Sequence, residues 1–102
     1  MDLGKIIKHL RQQHGFKQNE LATLCSITPA YLSQIEGNHK EPNLATIRVI
    51  AENLKVPLPI LFFLAMDASD VSTEKKAIYE MLAPSLRSIV GELVTESSHE
   101  ND

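Results

Sequence analysis

Cysteine, glycine and aromatic residues are scarce in this sequence. Its 102 residues include one cysteine, four glycines and no tryptophan, and aromatic residues make up 5%. The lone Cys25 excludes a disulfide within the chain and is typical of a reducing compartment. No glycine-rich phosphate loop or nucleophile elbow occurs, so no pattern indicates an enzyme. Zinc-ligand spacing is absent from the side chains that would supply it, His9, His14, Cys25 and His39. We therefore expect no metal and no cofactor.

Long apolar runs are absent as well. The most apolar window, residues 56–66, carries no charge but is much shorter than the roughly 20 residues that cross a bilayer. The first residues show no basic segment followed by a long apolar run, so a signal peptide is not expected. We therefore expect a cytoplasmic protein with no membrane partner.

Length and charge distribution limit the architecture and the partner. A chain of 102 residues has room for one domain with a modest core. Residues 1–55 contain seven Lys or Arg against five Asp or Glu, whereas residues 56–102 contain three against eight. A basic front half and an acidic back half indicate a polyanion partner for the front half only.

Apolar residues recur at helical spacing along the chain and predict an all-α fold. Gly15 is the expected left-handed C-cap of the first helix. Thr28 is the expected N-cap of a third helix, with Pro29 at its first position, and Asn43 caps a fourth. The residues of the first four helices predicted to face inward are Leu3, Ile6, Ile7, Leu10, Leu21, Ala22, Leu24, Cys25, Leu32, Ile35, Leu44, Ile47, Ile50, Ala51 and Leu54.

The back of the chain continues this helical pattern. Two prolines, Pro57 and Pro59, open a fifth short helix that runs through Met66. A polar break at 67–72 precedes a sixth helical region, 73–95, which we expect to be kinked or split at Pro84. The apolar residues at helical spacing in that region are Ile78, Met81, Leu82, Leu86, Ile89, Val90 and Leu93.

The predicted third helix differs from the others in the character of its exposed side. When Leu32 and Ile35 face the core, the opposite side is small or polar and uncharged: Ala30, Ser33, Gln34 and Gly37. Two short helices joined by a tight turn form a helix-turn-helix, whose second helix enters the major groove of DNA. By spacing alone, a small helical bundle with a solvated third helix fits equally well.

Three segments carry a resemblance to a known family. "LRQQHGFKQNELA", "SITPAYLSQIEG" and "EPNLATIRVIAENLKVPLPIL" are similar, in the same order, to the DNA-binding domain of the phage repressor and Cro family, also called XRE-like. The resemblance spans residues 5–64. It implies a five-helix lambda-repressor-like DNA-binding domain, which we place at 1–66, with the helix-turn-helix at about 18–36. The helical periodicity of the remaining residues, 67–102, predicts a C-terminal helical tail. It also implies a transcriptional regulator that binds a palindromic operator in double-stranded DNA as a homodimer.

The resemblance assigns roles to individual residues. The implied base-reading residues are Thr28, Pro29, Ala30, Ser33 and Gln34. The residues implied to contact the DNA backbone are Lys17, Gln18, Tyr31, Asn38, His39 and Lys40. In the major groove, Gln34 would pair with adenine through two hydrogen bonds and Ala30 would touch a thymine methyl group. Arg11 and Glu36 match a partly buried ion pair between the first and third helices, which is structural.

Three features depart from the family pattern. Lys17 stands where the family prefers Ser or Thr as the N-cap of the second helix, ahead of Glu20, and losing that cap should cost about 1 kcal/mol. Ser26 replaces the usual turn glycine, so a non-glycine residue is expected to adopt a positive φ. Pro29 and Ala30 cannot donate side-chain hydrogen bonds, which leaves more of the readout to DNA shape.

The apolar residues of the back third need a partner. Phe62 and Phe63 are adjacent and therefore point to different sides, one to the core and the other to a partner or the tail. We predict a dimer interface built from these rings together with Leu86, Ile89 and Leu93. The alternative is a tail that folds back on its own domain. A second alternative is an antitoxin-like or other interaction module whose acidic tail binds a partner protein.

Overall fold

The computed structural model describes residues 1–99, apart from the side chains of 89, 90 and 93–99. Two one-turn 3-10 helices, Ala68–Asp70 and Thr73–Lys75, connect the fifth and sixth of its α-helices. The six are α1 (Leu3–Gln13), α2 (Gln18–Leu24), α3 (Pro29–Glu36), α4 (Leu44–Asn53), α5 (Leu58–Ala65) and α6 (Lys76–His99). No strand occurs among the described residues, and the predicted all-α class is confirmed.

The predicted helix starts are confirmed by their capping hydrogen bonds. Thr28 Oγ1 accepts the backbone N–H of Tyr31 at 3.0 Å, with Pro29 in the first helical position of α3. Asn43 Oδ1 accepts the N–H of Thr46 at 2.8 Å at the start of α4. Each such cap satisfies a backbone donor that the helix leaves unpaired and stabilises it by about 1 kcal/mol.

Two turns adopt the expected left-handed backbone conformation, which the sequence predicts at Gly15 and the family resemblance implies at Ser26. Gly15 has a φ of 76° after α1, and Ser26 has a φ of 57° between α2 and α3. Glycine adopts this conformation without steric strain, whereas a serine there is uncommon. Asn38 and Lys55 share the conformation, each with a φ of 59°, and neither was expected from the sequence.

The core is formed by the inward faces of the first five helices. Its largest fully buried side chains are Ile7, Leu21, Leu32, Ile35, Ile50, Leu54 and Leu61. Two residues predicted to face inward do not, since Leu24 is 50% exposed and Leu44 is 52% exposed. The buried side of α2 is centred between Leu21, Ala22 and Cys25, which turns Leu24 roughly 110° away from it. Leu44 is the first residue of α4 and lies beyond the edge of the core.

From Lys76 to His99 the tail forms one α-helix rather than two. α6 continues through Pro84, so a split at this residue is wrong. Pro84 removes one backbone hydrogen bond, but both Pro84 and Glu80, whose carbonyl loses its donor, are exposed to water. Within residues 1–99, none of the helices has both the length and the hydrophobicity needed to cross a membrane.

Candidate nucleic-acid interface

Helices α2 and α3 pack against each other across a turn of four residues, 25–28. Leu21 and Ala22 of α2 and Leu32 and Ile35 of α3 are buried between them and the rest of the core. This is the predicted helix-turn-helix. Because α3 buries one side so completely, its orientation on the domain is determined by the core.

The other side of α3 is open to solvent. All five residues predicted to read bases are exposed there or at its start: Thr28, Pro29, Ala30, Ser33 and Gln34. None carries a charge, and only Gln34 has a long side chain. Tyr31 is half-buried at the flank of this surface and packs against the core. The structure therefore brings these six residues together, whereas their contacts with DNA stay a prediction.

The predicted ion pair of Arg11 and Glu36 is present in the structure. Arg11 Nε donates to Glu36 Oε2 at 2.8 Å and Nη2 donates to Oε1 at 3.1 Å, a two-point contact between α1 and α3. Arg11 Nη1 also donates to the carbonyl of Phe16 at 2.8 Å. Both members of the pair are buried, so each satisfies a charge that would otherwise be desolvated without a partner.

Gln18 joins this pair, which the sequence did not indicate. Its Nε2 donates to Glu36 Oε1 at 3.0 Å, so Glu36 receives hydrogen bonds from both α1 and α2. The half-buried side chain of Gln18 is thereby oriented at the N-terminus of α2. A contact between Gln18 and a DNA phosphate stays a prediction.

Lys17 precedes α2 without capping it through its side chain. Its ammonium group has no acceptor for the backbone donors of the helix, and only the reverse half of a capping box forms. In that half, the N–H of Lys17 donates to Glu20 Oε1 at 2.8 Å. The exposed lysine side chain thus extends into solvent beside the α2 N-terminus.

Asn38, in the loop after α3, has a structural role that the sequence did not indicate. Its Oδ1 accepts the N–H of Gly4 at 3.1 Å, and its Nδ2 donates to Asp2 Oδ1 at 2.8 Å. That hydrogen bond, with the backbone N–H of Lys5, lowers the pKa of Asp2 below its ordinary value. Asn38 therefore fastens the end of α3 to the start of α1.

The approach of these two segments requires glycine at position 4. A Cβ on Gly4 would lie 2.6 Å from Asn38 Oδ1 and 2.7 Å from the carbonyl oxygen of Glu36.

In the loop after α3, the backbone N–H groups of His39 and Lys40 are occupied, since both donate to the carbonyl of Gln34. The side chains of His39 and Lys40 are exposed to solvent.

A polar depression of about 240 Å³ lies beside the exposed side of α3. It is lined by Lys8, Gln18, Ser33, Glu36, Gly37 and His39. Lys8 is a basic residue that sequence reasoning missed. The available signal was its position three residues before Arg11, which places both on neighbouring parts of one helix surface.

The two phenylalanines predicted for a dimer interface have partners within the chain. Phe62 packs against the core. The ring of Phe63 lies 5.9 Å from that of Tyr79, and the guanidinium carbon of Arg87 lies 5.9 Å from the Phe63 centroid. Leu86 is 36% exposed on α6. The side chains of Ile89 and Leu93, the other predicted interface residues, lie outside the described residues.

Comparison with known proteins identifies the family. Residues 7–61 match the family model described as helix-turn-helix. The chain belongs to the XRE-type helix-turn-helix family. The match contains α2, α3 and their turn, all of α4, most of α1 and half of α5. The family expected from the sequence is confirmed.

Relatives of this helix-turn-helix chain include named regulators. It is 42% identical over 55 residues to the HTH-type transcriptional regulator SutR of Escherichia coli (strain K12), covering 54% of this chain and 31% of SutR. It is 36% identical over 78 residues to the HTH-type transcriptional repressor RghR of Bacillus subtilis (strain 168), covering 76% and 57%. The chain thus spans a third to somewhat over half of these relatives' length.

Two further similarities extend beyond the family match. The chain is 34% identical over 74 residues to the antitoxin HipB of Escherichia coli (strain K12), covering 72% of this chain and 82% of HipB. The crystal structure of the clp gene regulator ClgR from Corynebacterium glutamicum superposes with a TM-score of 0.60 at 19% identity, covering 94% of this chain and 89% of that one. At this identity the superposition shows a shared fold.

Proposed function

We propose that this protein is a cytoplasmic transcriptional regulator that reads a palindromic DNA operator as a dimer. The observation that carries the proposal is the contrast between the two sides of α3. Leu32 and Ile35 are buried to 1% exposure or less, whereas the opposite side presents small or neutral polar side chains. A helix with this exposed surface can approach base edges closely without desolvating a charge.

Base reading in this proposal depends on a small set of side chains. Gln34 has an amide that can both donate to and accept from an adenine, which makes a two-point contact. Ala30 offers a methyl group to a thymine, and Ser33 offers a hydroxyl. Thr28 keeps its Oγ1 for the N–H of Tyr31. At base pairs that none of these side chains contacts, sequence preference comes from the shape of the DNA.

Phosphate contacts would come from the exposed cations on both flanks of α3. Lys17 lies before α2, and Lys40 lies after α3. Lys8 and His39 line the polar depression beside α3. Each lysine placed on a phosphate releases a condensed counterion, so these contacts contribute affinity without sequence preference. Gln18 and Asn38 would contribute in two ways. They would contact the DNA backbone, and their hydrogen bonds within the domain would hold its helices in place.

A dimer follows from the length of α3. Eight helical residues reach only a few base pairs, which is too little to select one site among the many in a genome. Two copies related by a two-fold axis read half-sites whose centres lie about 34 Å apart. We assign DNA reading to residues 1–66 and dimer formation to the tail, 67–102.

Selection of bound sequences from a random DNA library by the full chain tests this function. We expect an enriched palindromic site, and loss of its binding in Ala30→Glu, which places a carboxylate on the exposed side of α3 facing phosphates and acceptor groups. Ala77→Glu adds the same charge to an exposed position in α6 and is the matched control. Absence of any enriched sequence, or equal binding by both variants, would contradict the proposal.

A second candidate function is suggested by the likeness to the antitoxin HipB, which covers 72% of this chain. In that case the tail would bind a partner protein while α3 still binds DNA. The two candidates differ in the occupant of the exposed side of α6. Sedimentation of the purified chain separates them, because a regulator dimer forms from this chain alone.

A further inference from the structure

One side of α6 is fixed to the rest of the protein. Tyr79 Oη donates to the carbonyl of Met66 at 3.2 Å, and Arg87 Nη2 donates to Tyr79 Oη at 3.0 Å. The guanidinium group of Arg87 lies against the ring of Phe63. Ala83, between them, is only 3% exposed. Residues 79, 83 and 87 are four apart, so a single side of α6 makes these contacts.

The other side of α6 is apolar and exposed. Large side chains protrude from it: Ile78 is 53% exposed, Met81 70%, Leu82 49% and Leu86 36%. At 3.6 residues per turn the centre of these four lies roughly 125° around the helix from the centre of the fixed side. The described part of the chain covers these side chains only in part. Four large apolar side chains within nine residues form a patch that a monomeric protein rarely exposes.

Along the exposed side of α6, the intervals between successive residues read the same from either end. A row that contains three of these residues, Ile78, Leu82 and Leu86, continues in the sequence at helical intervals, with Met81 beside it. Its members are Lys75, the last residue of the 3-10 helix before α6, and seven residues of α6: Ile78, Leu82, Ser85, Leu86, Ile89, Leu93 and Glu96. The side chains of the last three are not among those that the structure describes. The intervals are three, four, three, one, three, four and three residues. A row with this symmetry is complementary to an antiparallel copy of itself.

We infer that the exposed side of α6 pairs with α6 of a second copy of this chain, antiparallel, with the two-fold axis between Ser85 and Leu86. In this register Ile78 faces position 93 of the second copy and Leu82 faces position 89, apolar against apolar. Leu86 fits against the small Ser85. The inference specifies the interface of the dimer proposed above and rests on that proposal for its role at an operator.

Charge distinguishes this arrangement from a parallel one. The row begins with Lys75, and its far end carries Glu92 beside it and Glu96 within it. An antiparallel pair brings each lysine next to the acidic end of the other copy. A parallel pair would bring Lys75 next to Lys75 and Glu92 next to Glu92, which is repulsive. The symmetric spacing also favours a second copy of this chain as the partner, because binding of an unrelated protein would not require symmetric spacing.

Disulfide trapping in the full chain tests the register. Ser85→Cys places two thiols about 1.5 Å apart along the helix axis across the two-fold, within the range that a disulfide spans. Glu92→Cys places its two thiols about 20 Å apart along the axis in the antiparallel pair but adjacent in a parallel one. Burial raises the pKa of the Cys25 thiol and keeps it protonated, so the parent chain serves as the background control.

We expect mild oxidation to convert Ser85→Cys, but not Glu92→Cys, to a covalent dimer on a non-reducing gel. Cross-linking of both variants would replace the antiparallel arrangement with a parallel one. Cross-linking of neither, or a parent chain that sediments as a monomer at micromolar concentration, would overturn the pairing.

A disrupting variant separates this interface from the proposed DNA function. Leu82→Glu should raise the dimer dissociation constant about 100-fold or more, because two carboxylates would be buried without partners. Ala77→Glu, outside the row, should leave it unchanged. A Leu82→Glu monomer that binds an isolated half-site as the parent does supports both proposals. A Leu82→Glu variant that remains a dimer with full preference for palindromes overturns only the pairing, and a dimeric parent that selects no DNA overturns only the function.

Discussion

Glu36 in α3 accepts two hydrogen bonds from the guanidinium group of Arg11 in α1, at 2.8 Å from Nε and 3.1 Å from Nη2. The amide of Gln18 in α2 donates to the same carboxylate at 3.0 Å. Three helices thus meet at one buried group. The orientation of α3, and with it the surface proposed for DNA, depends on a charge that has to stay paired.

Removing the arginine should destabilise the whole domain. We expect Arg11→Ala to lower the free energy of unfolding by about 3 kcal/mol, because the carboxylate of Glu36 would remain buried without its cation. Chemical denaturation measures this change. Arg48→Ala removes an arginine from the exposed side of α4 and should change stability by no more than about 0.5 kcal/mol. Equal midpoints for the two variants would contradict a structural role for the pair.

Gln34→Ala should relax sequence preference at one base pair in each half-site. The expected loss on the preferred operator is about 1–3 kcal/mol, since a two-point contact to a base is removed. Fluorescence anisotropy on a set of single-base operator variants measures this loss. The control is Gln12→Ala, which removes the same side chain from an exposed position of α1. Equal weakening on all sequences would reassign Gln34 to the DNA backbone.

Lys40→Ala should weaken binding on every sequence by a similar factor. Loss of one phosphate contact should also make the slope of log K against log salt concentration less negative by about one. Titrations at several salt concentrations determine both quantities. Lys76→Ala, at the start of α6, removes the same charge away from α3 and should leave the slope unchanged. A slope that stays the same in Lys40→Ala would place this side chain away from the phosphates.

Gly4→Ala should destabilise the domain because the new methyl group meets backbone. A Cβ there lies 2.7 Å from the carbonyl oxygen of Glu36, which cannot move without shifting the end of α3. We expect a loss of about 2 kcal/mol in thermal or chemical unfolding. At Gly91, in α6, a Cβ meets no atom within 4 Å, and Gly91→Ala should stabilise the helix by about 0.5–1 kcal/mol. Opposite signs for the two substitutions are the expected result.

Stability should fall in acid partly through Asp2. Hydrogen bonds from the Asn38 amide and from the Lys5 N–H lower the pKa of Asp2 in the folded state. Its contribution is therefore complete above the ordinary aspartate pKa of 3.8 and is lost as the pH falls through the lower folded value. The free energy of unfolding, measured between pH 2 and 6, should change less steeply with pH in Asp2→Asn than in the parent. The carboxylates of Asp67 and Asp70, whose pKa values are lowered too, remain in both proteins.

Much of the fold was predictable from local signals. The caps at Thr28 and Asn43, the left-handed turn at Gly15 and the buried faces of α1 and α3 all follow from residues a few positions apart. The left-handed turn at Ser26 was implied by the family resemblance instead. Such features depend on the intrinsic preferences of short segments and on helical periodicity. The positions of α2 and α3 within the chain, and the set of exposed residues on α3, were therefore available without a structure.

The partners of the polar side chains were decided only by the tertiary structure. Gln18 contacts a residue 18 positions away, and Asn38 contacts residues 34 and 36 positions away. Both were predicted to face DNA, and both also hold the domain together. One of the two phenylalanines was expected to face either a partner or the tail, and Phe63 contacts Tyr79 of α6 in the tail. Periodicity predicts which side of a helix is buried, but it contains no information on the angle and height at which two helices cross. Those are determined when the core side chains pack, and only then is it decided which polar groups meet.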